Sequence, residues 1–330
     1  MDAVTARLLN EFQRDFPLVP RPFQSVADRL GAHESDVLAM LESLVTSGKV
    51  SRVGLTFAPG RIGAATLAAM AVPEERLHEI ASRVSSYPEV NHNYEREHFY
   101  NLWFVVTGPD EARVETVVRK IERAAGCGRV LSLPMVEPYH VDLGFDLERR
   151  DADVLRRGGR RRARGHVALT ASERALAVAL EDGLPLIEEP YADVARRAGL
   201  SEQDVTATLA RWLADGLANR LGVIVRHRPL GFRANAMVVW DVPDAEAGAV
   251  GERMSQWPDV NLCYRRERRL PEWRYNLYCM IHGRDRVQVL AQIAAMDARL
   301  DFVKYPYEVL FSRRCFKQGG ARYVTAGIAA

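Results

Sequence analysis

Residues 265–278 read Arg265-Arg266-Glu267-Arg268-Arg269-Leu270-Pro271-Glu272-Trp273-Arg274-Tyr275-Asn276-Leu277-Tyr278. Arg265, Arg266, Arg268 and Arg269, interrupted only by Glu267, can clamp several carboxylates or phosphates through bidentate hydrogen bonds. Trp273, Tyr275 and Tyr278 lay flat apolar surface beside them, and Asn276 adds a polar contact. A second polar stretch runs from Asn91 to Trp103 and carries Arg96, His98, Tyr100, Asn101 and Trp103. A third places His227 beside Arg228. Flat aromatic walls with several arginines suit a large planar polyanion, such as a carboxylated tetrapyrrole, better than a small amino acid. An imidazole there offers an axial nitrogen to iron or a proton near neutral pH. The plain alternatives are a solvated set of ion pairs for the arginines and ordinary core for the strand aromatics. His33 and His78 fall on or near exposed helix, His92 and His282 divide evenly between core and site, and His98 and His227 stand out.

The elements that position these groups occur twice. Pro17, Leu18, Pro22, Val26, Gly31, Val37, Gly48, Arg52 and Gly54 recur 168 residues on as Pro185, Leu186, Pro190, Val194, Gly199, Val205, Gly216, Arg220 and Gly222. Tyr87-Pro88-Glu89-Val90-Asn91 returns as Trp257-Pro258-Asp259-Val260-Asn261, and Tyr94, Arg96 and Glu97 return as Tyr264, Arg266 and Glu267. So long a period records duplication of a whole module rather than a solenoid. Each copy opens as three helices and a hairpin: Thr5–Phe16, Ser25–Leu30 closed by Gly31, a helix capped by Ser35 and ended by Gly48, then a strand over Lys49–Phe57. That is a winged helix-turn-helix. The rest reads strand 64–72, helix 74–86, strand 90–96, strand 100–107, helix 109–125 and strand 130–134, the ferredoxin-like βαββαβ order. The fold class is therefore α+β, with a winged helix-turn-helix (1–60) and a ferredoxin-like domain (61–148) in copy one. An Arg/Gly-rich tether follows (149–168), then the same pair in copy two (169–228 and 229–330), the two copies facing each other as an internal pseudo-dimer.

Composition narrows the class. The chain has 330 residues, enough for two or three domains, with 48% hydrophobic and 27% charged residues. Lys+Arg number 45 against 43 Asp+Glu, a net charge of +2, so no broad basic field is available for nucleic acid. The second helix of a helix-turn-helix enters a groove lined with phosphates and normally carries cationic or amide side chains. Here it carries Glu34, Asp36 and Glu42 in copy one, and Glu202, Asp204 and Asp215 against Arg211 alone in copy two. DNA is therefore not expected as a partner, and these segments read as interaction and pocket-forming scaffold. Cys127, Cys263, Cys279 and Cys315 show no C-x-x-C pair, so neither structural zinc nor an iron–sulfur cluster is indicated. The sequence reads without a signal peptide or membrane span, and a reducing cytoplasm is the default.

The stretches VNHNYEREHFYNLWFVVTG, RLGVIVRHRPLGFRANAMVVWDVP, CYRRERRLPEWRYNLYCMIHG and SRRCFKQGGARY resemble the sirohaem decarboxylases of the Lrp/AsnC-like type. The similarity extends over nearly all of the chain except the tether and the last few residues, and it implies a fusion of the two kinds of subunit in that family. It implies a carboxy-lyase that removes two acetate carboxyls from sirohaem to give 12,18-didecarboxysirohaem on the way to haem d1. The only iron is that carried by the substrate, with no further cofactor and no intrinsic metal site. On this resemblance His98 is the first choice for the acid that protonates the new methyl carbon, with Tyr100 orienting it. Arg96, Arg266, Arg268 and Arg269 would anchor the remaining carboxylates, and Trp103, Trp273 and Tyr275, with Asn101 and Asn276, would line the ring. His227 would ligate the substrate's iron or act as a second proton donor. Other haem d1 biosynthesis proteins are implied partners, and further association of whole chains is open. A DNA-binding regulator with a small-molecule or haem-sensing domain, and a non-catalytic tetrapyrrole carrier, are the competing classes.

Overall fold

The computed structural model describes residues 2–141, 144 and 165–324; most of the tether falls outside them. The head of copy one is α1 (Ala3–Glu11), α2 (Pro22–Leu30) and α3 (Glu34–Thr46), followed by β1 (Val50–Phe57). Asp2 caps α1 by accepting from the Thr5 amide, and Pro22 stands in the first turn of α2, where no amide hydrogen is needed. Gly31 closes α2 at φ +69°, a conformation that side chains with a Cβ rarely adopt.

Copy one continues with β2 (Ala64–Met70), α4 (Leu77–Ser86), β3 (Val90–Arg96), β4 (Leu102–Gly108), α5 (Glu111–Ala125) and β5 (Leu131–Val141). Copy two repeats the series as α6 (Ala171–Ala179), α7 (Pro190–Ala198), α8 (Glu202–Ala214), β6 (Ala218–Val225), β7 (Ala234–Trp240), α9 (Ala247–Ser255), β8 (Val260–Arg266), β9 (Leu277–Gly283), α10 (Arg286–Leu300) and β10 (Tyr307–Gln318).

The expected hairpin of each head does not form. β1 pairs instead with β6 of the other copy, antiparallel, with Gly54 opposite Gly222. A Cβ on Gly222 would lie 2.5 Å from the Phe12 and Gln13 backbones, so the close approach of strand pair and α1 requires glycine there. The two heads consequently share one apolar core, in which Leu8, Phe12, Phe23 and Leu41 of copy one meet Leu176, Tyr191, Trp212 and Leu221 of copy two.

The eight remaining strands close a barrel in the order β10-β3-β4-β2-β5-β8-β9-β7. Each copy supplies a ferredoxin-like sheet, and the last strand of each pairs with the second strand of the other, β5 with β8 and β10 with β3. This explains why β5 continues to Val141 rather than ending near Pro134. Residues up to 134 pair with β2, whereas those from Met135 onward pair with β8. Pro138, which has no amide hydrogen, sits beside a register shift in that ladder. α4 and α5 cover one sheet, α9 and α10 the other, and side chains such as Leu67, Leu133, Met237 and Leu310 fill the lumen.

Candidate functional site

A cavity of about 350 Å³ lies between the β1–β6 pair and the mouth of the barrel facing it, lined from both. Along β3, His92, Tyr94 and Arg96 take alternate positions and so share the inward face; Leu262, Tyr264 and Arg266 do the same on β8. The heads supply Arg52 from β1 and Arg220 from β6, which occupy equivalent places in the two copies.

Arg96 and Arg266 are related by the internal pseudo-two-fold. Arg96 Nη1 donates to the Leu310 carbonyl at 3.0 Å, and Arg266 Nη1 to the Leu133 carbonyl at 2.6 Å. Each guanidinium lies over a tyrosine ring of its own strand, Arg96 at 5.7 Å from Tyr94 and Arg266 at 4.6 Å from Tyr264. Both are buried, neither has a carboxylate within ion-pair distance among the described residues, and the Nε of each has no hydrogen-bond acceptor. Burial brings Arg96 down to about 10. Cationic groups held this way are short of anions.

Three imidazoles stand among these arginines. Burial and then the Arg52 charge push His92 down to about 4; burial, then Arg228, His92 and Arg96, do the same to His227. Burial first, with His227 next, holds His282 well below its usual value. The His227 and His282 rings meet edge-on at 4.5 Å. Asn235 Nδ2 donates to His227 Nε2 at 2.9 Å, and His282 Nδ1 donates to Asn261 Oδ1 at 2.9 Å. All three rings are neutral near pH 7, able to donate or to accept but not to act as fixed cations. For His227 to ligate iron through Nε2, the Asn235 amide must first be displaced.

Of the residues singled out in the sequence, Arg96, Arg266, Trp103 and His227 come together in this cavity. The others do not. His98 and Tyr100 sit in the β3–β4 loop at the opposite end of the barrel. There His98 Nδ1 accepts the Tyr100 amide hydrogen at 2.9 Å and Nε2 contacts Glu308 at 3.0 Å, so both ring nitrogens are engaged. Tyr275 Oη donates to the same carboxylate at 2.8 Å, and Trp273 Nε1 donates to Tyr278 Oη at 2.7 Å, the indole packing edge-on against Trp103 at 5.2 Å. This group plugs that end of the lumen. Arg268 is consumed by Asp241 and by the Val242 and Arg274 carbonyls, and Arg269 by Glu267 at 2.6 Å. Asn101 and Asn276 each exchange two hydrogen bonds with a neighbouring backbone, at Val72 and at Val242, so they staple loops. His98, Tyr100, Arg268, Arg269, Trp273 and Tyr275 therefore lie outside the cavity that Arg96, Arg266, Trp103 and His227 line. Dense polar sequence at a strand turn became loop closure, because those groups satisfy one another.

His92 and His282, which sequence alone divides evenly between core and site, line the cavity, as do Arg52 and Arg220. Arg52 and Arg220 did carry a signal, being polar residues retained at the same place in both copies. His92 stands where copy two has Leu262, and its position two and four residues before Tyr94 and Arg96 marks it as inward-facing.

Residues 61–140 and 229–317 match the AsnC-like ligand binding domain, and residues 5–50 and 173–217 match the siroheme decarboxylase NirDL-like HTH domain. The siroheme decarboxylase NirDL subunit of Paracoccus denitrificans is 42% identical over 97% of this chain and 97% of its own. The NirL subunit of Stutzerimonas stutzeri is 49% identical, covering 44% of this chain and 85% of that subunit, so the relatives include half-length forms. The crystal structure of the siroheme decarboxylase NirDL in co-complex with an iron-uroporphyrin III analogue superposes with a TM-score of 0.67 at 27% identity, covering 98% of this chain and 94% of the other. With both halves of the duplicated module matched, this chain belongs to the sirohaem decarboxylase family of Lrp/AsnC-like proteins, in its fused NirDL form.

Proposed function

We propose that the chain is a carboxy-lyase that converts sirohaem to 12,18-didecarboxysirohaem with release of two CO2, a step toward haem d1, and that the cavity between heads and barrel is where this happens. The observation that carries the site is the pair Arg96 and Arg266: buried guanidiniums without carboxylate partners among the described residues, facing a space walled by Trp103, Leu67, Met237 and Met280. On this reading the iron is the substrate's own.

The chemistry follows from this arrangement. Arg96 and Arg266, with Arg52 and Arg220 from the heads, hold peripheral carboxylates by charge-assisted hydrogen bonds and so fix the macrocycle. A reacting acetate left against the apolar wall loses its hydration, which favours the dispersal of its charge into the ring as CO2 departs. His92, His227 and His282 are neutral and can donate to ring substituents without competing as cations. The helix-turn-helix heads act as the lid of this cavity rather than as readers of DNA, since α3 and α8 present Asp36 and Glu42, and Glu202 and Asp204. No helix among the described residues is long and apolar enough to cross a membrane, and a cytoplasmic location fits four cysteines that form no disulfide among the described residues.

Anaerobic incubation with sirohaem followed by mass spectrometry of the tetrapyrrole tests the reading. The product should have lost two carboxyl groups, whereas a carrier returns the mass unchanged. A gel shift on random duplex DNA at moderate salt tests the regulator class, which predicts a salt-sensitive complex.

A further inference from the structure

Glu181 is the one carboxylate that lines the cavity among the described residues. It lies just past α6 in the head of copy two, and the turn that carries it is fixed. Gly183 has φ +94°, a Cβ there would sit 2.4 Å from the Val53 carbonyl, and the Leu184 amide donates to that carbonyl at 2.7 Å. One oxygen of Glu181, Oε2, faces Arg322 Nε at 3.8 Å, while Oε1 is buried with no hydrogen-bond partner. Three charged groups surround it: Arg322 from the C-terminal segment, Asp182 beside it, and Arg52, whose side chain crosses the Gly183 turn.

A carboxylate is out of place in a cavity that gathers arginines for a polyanion. Two like charges in a weakly solvated site do not both stay ionised, so each carboxylate arm of the ligand favours the protonated form of this one. Burial already raises the carboxyl above its ordinary range, Asp182 adds to the rise and Arg322 opposes it. The 168-residue offset places Gln13 at the equivalent position of copy one, where the side-chain amide is spent on the Leu9 carbonyl at 2.8 Å. The acid therefore occurs on one side of the pseudo-dimer only.

We propose that Glu181 is the acid that protonates the carbon left behind when an acetate loses CO2. This rests on the decarboxylase reading above. The bond between the acetate methylene and its carboxylate breaks, CO2 leaves, and the electron pair stays on the methylene carbon, dispersed into the ring. That pair then takes the proton from the Glu181 carboxyl to form the methyl group. Solvent reprotonates Glu181, so each acetate removed consumes one proton and the step needs no oxidant or reductant.

The test is single-turnover decarboxylation of sirohaem under anaerobic conditions, with binding followed separately by absorbance titration. Glu181→Gln keeps the shape and removes the proton, and it should bind sirohaem like the unaltered protein while turning over roughly a hundredfold or more slower, the usual worth of a positioned acid. Glu181→Asp should recover part of the rate. The unaltered protein should lose rate as pH rises through the pKa of the acid, and Glu181→Gln should lack that limb. Arg322→Gln should move the limb to higher pH, because the Arg322 charge draws the acid's pKa down. Full turnover by Glu181→Gln, or loss of sirohaem affinity in proportion to rate, overturns the assignment. An unaltered protein that leaves sirohaem intact overturns the decarboxylase reading instead.

Discussion

Replacing Arg96 by Met separates a residue kept for the fold from one kept for a ligand. The side chain is 7% exposed, and burial lowers its pKa from 12.5 to about 10, so charging it in place costs about 3 kcal/mol relative to water. The sign is that of a depressed base: near pH 7 the group is charged and the folded state carries the cost. Methionine of similar length removes that cost and leaves the Leu310 carbonyl without its donor, a loss of about 1 kcal/mol. The ligand-free Arg96→Met protein should therefore be more stable by about 1–2 kcal/mol, which raises the melting temperature by roughly 2–4 °C per kcal/mol at this size or somewhat less. Sirohaem binding should move the other way. A hydrogen bond to a charged group is worth about 1.5–3 kcal/mol, so affinity should fall roughly 10- to 100-fold. Thermal denaturation without ligand and an absorbance titration with sirohaem read the two effects. A variant that unfolds at lower temperature, or that binds sirohaem unchanged, refutes the claim that this guanidinium is held in the cavity for an anion.

Three further outcomes follow from the geometry. Gly222→Ala should destabilise the paired heads by about 1–3 kcal/mol, since its Cβ would meet backbone rather than a flexible side chain; denaturant unfolding checks it. His227 has its folded pKa near 4 against 6.5 when free, so the unfolded chain binds the extra proton first. Its contribution is complete above about pH 6.5 and is lost as pH falls toward 4, by about 3 kcal/mol, and His227→Gln should unfold at lower pH in an acid titration. His98→Ala should keep sirohaem turnover while its melting temperature falls, because its partners Glu308 and Tyr100 close the far end of the barrel.

The duplication and the order of elements are legible from periodicity, and β3 spans Val90–Arg96 as read, but α1 ends at Glu11 rather than Phe16 and the N-cap of α3 is His33 rather than Ser35. What sequence could not reveal is which strand pairs with which across the copies. The β1–β6 pair, and the β5–β8 and β10–β3 closures, depend on contacts between segments far apart in the chain, and no local pattern encodes them. The site was half visible for the same reason. Arg96 and Arg266 follow Tyr94 and Tyr264 at strand spacing, so their direction is fixed by alternation once the strand is known. His98 lies beyond the end of β3, where alternation no longer applies, and local richness in polar and aromatic residues does not reveal that it falls outside the cavity. Glu181 gave no signal, since its environment is made by the C-terminal segment and by the head of the other copy.

A crystal structure of this chain with the iron-uroporphyrin III analogue or sirohaem bound locates the substrate directly. The macrocycle should occupy the space between the β1–β6 pair and the barrel, with peripheral carboxylates on Arg96 and Arg266 and the ring edge near Trp103. Density for the ring at the other end of the barrel, against His98, Tyr275 and Trp273, would contradict the account.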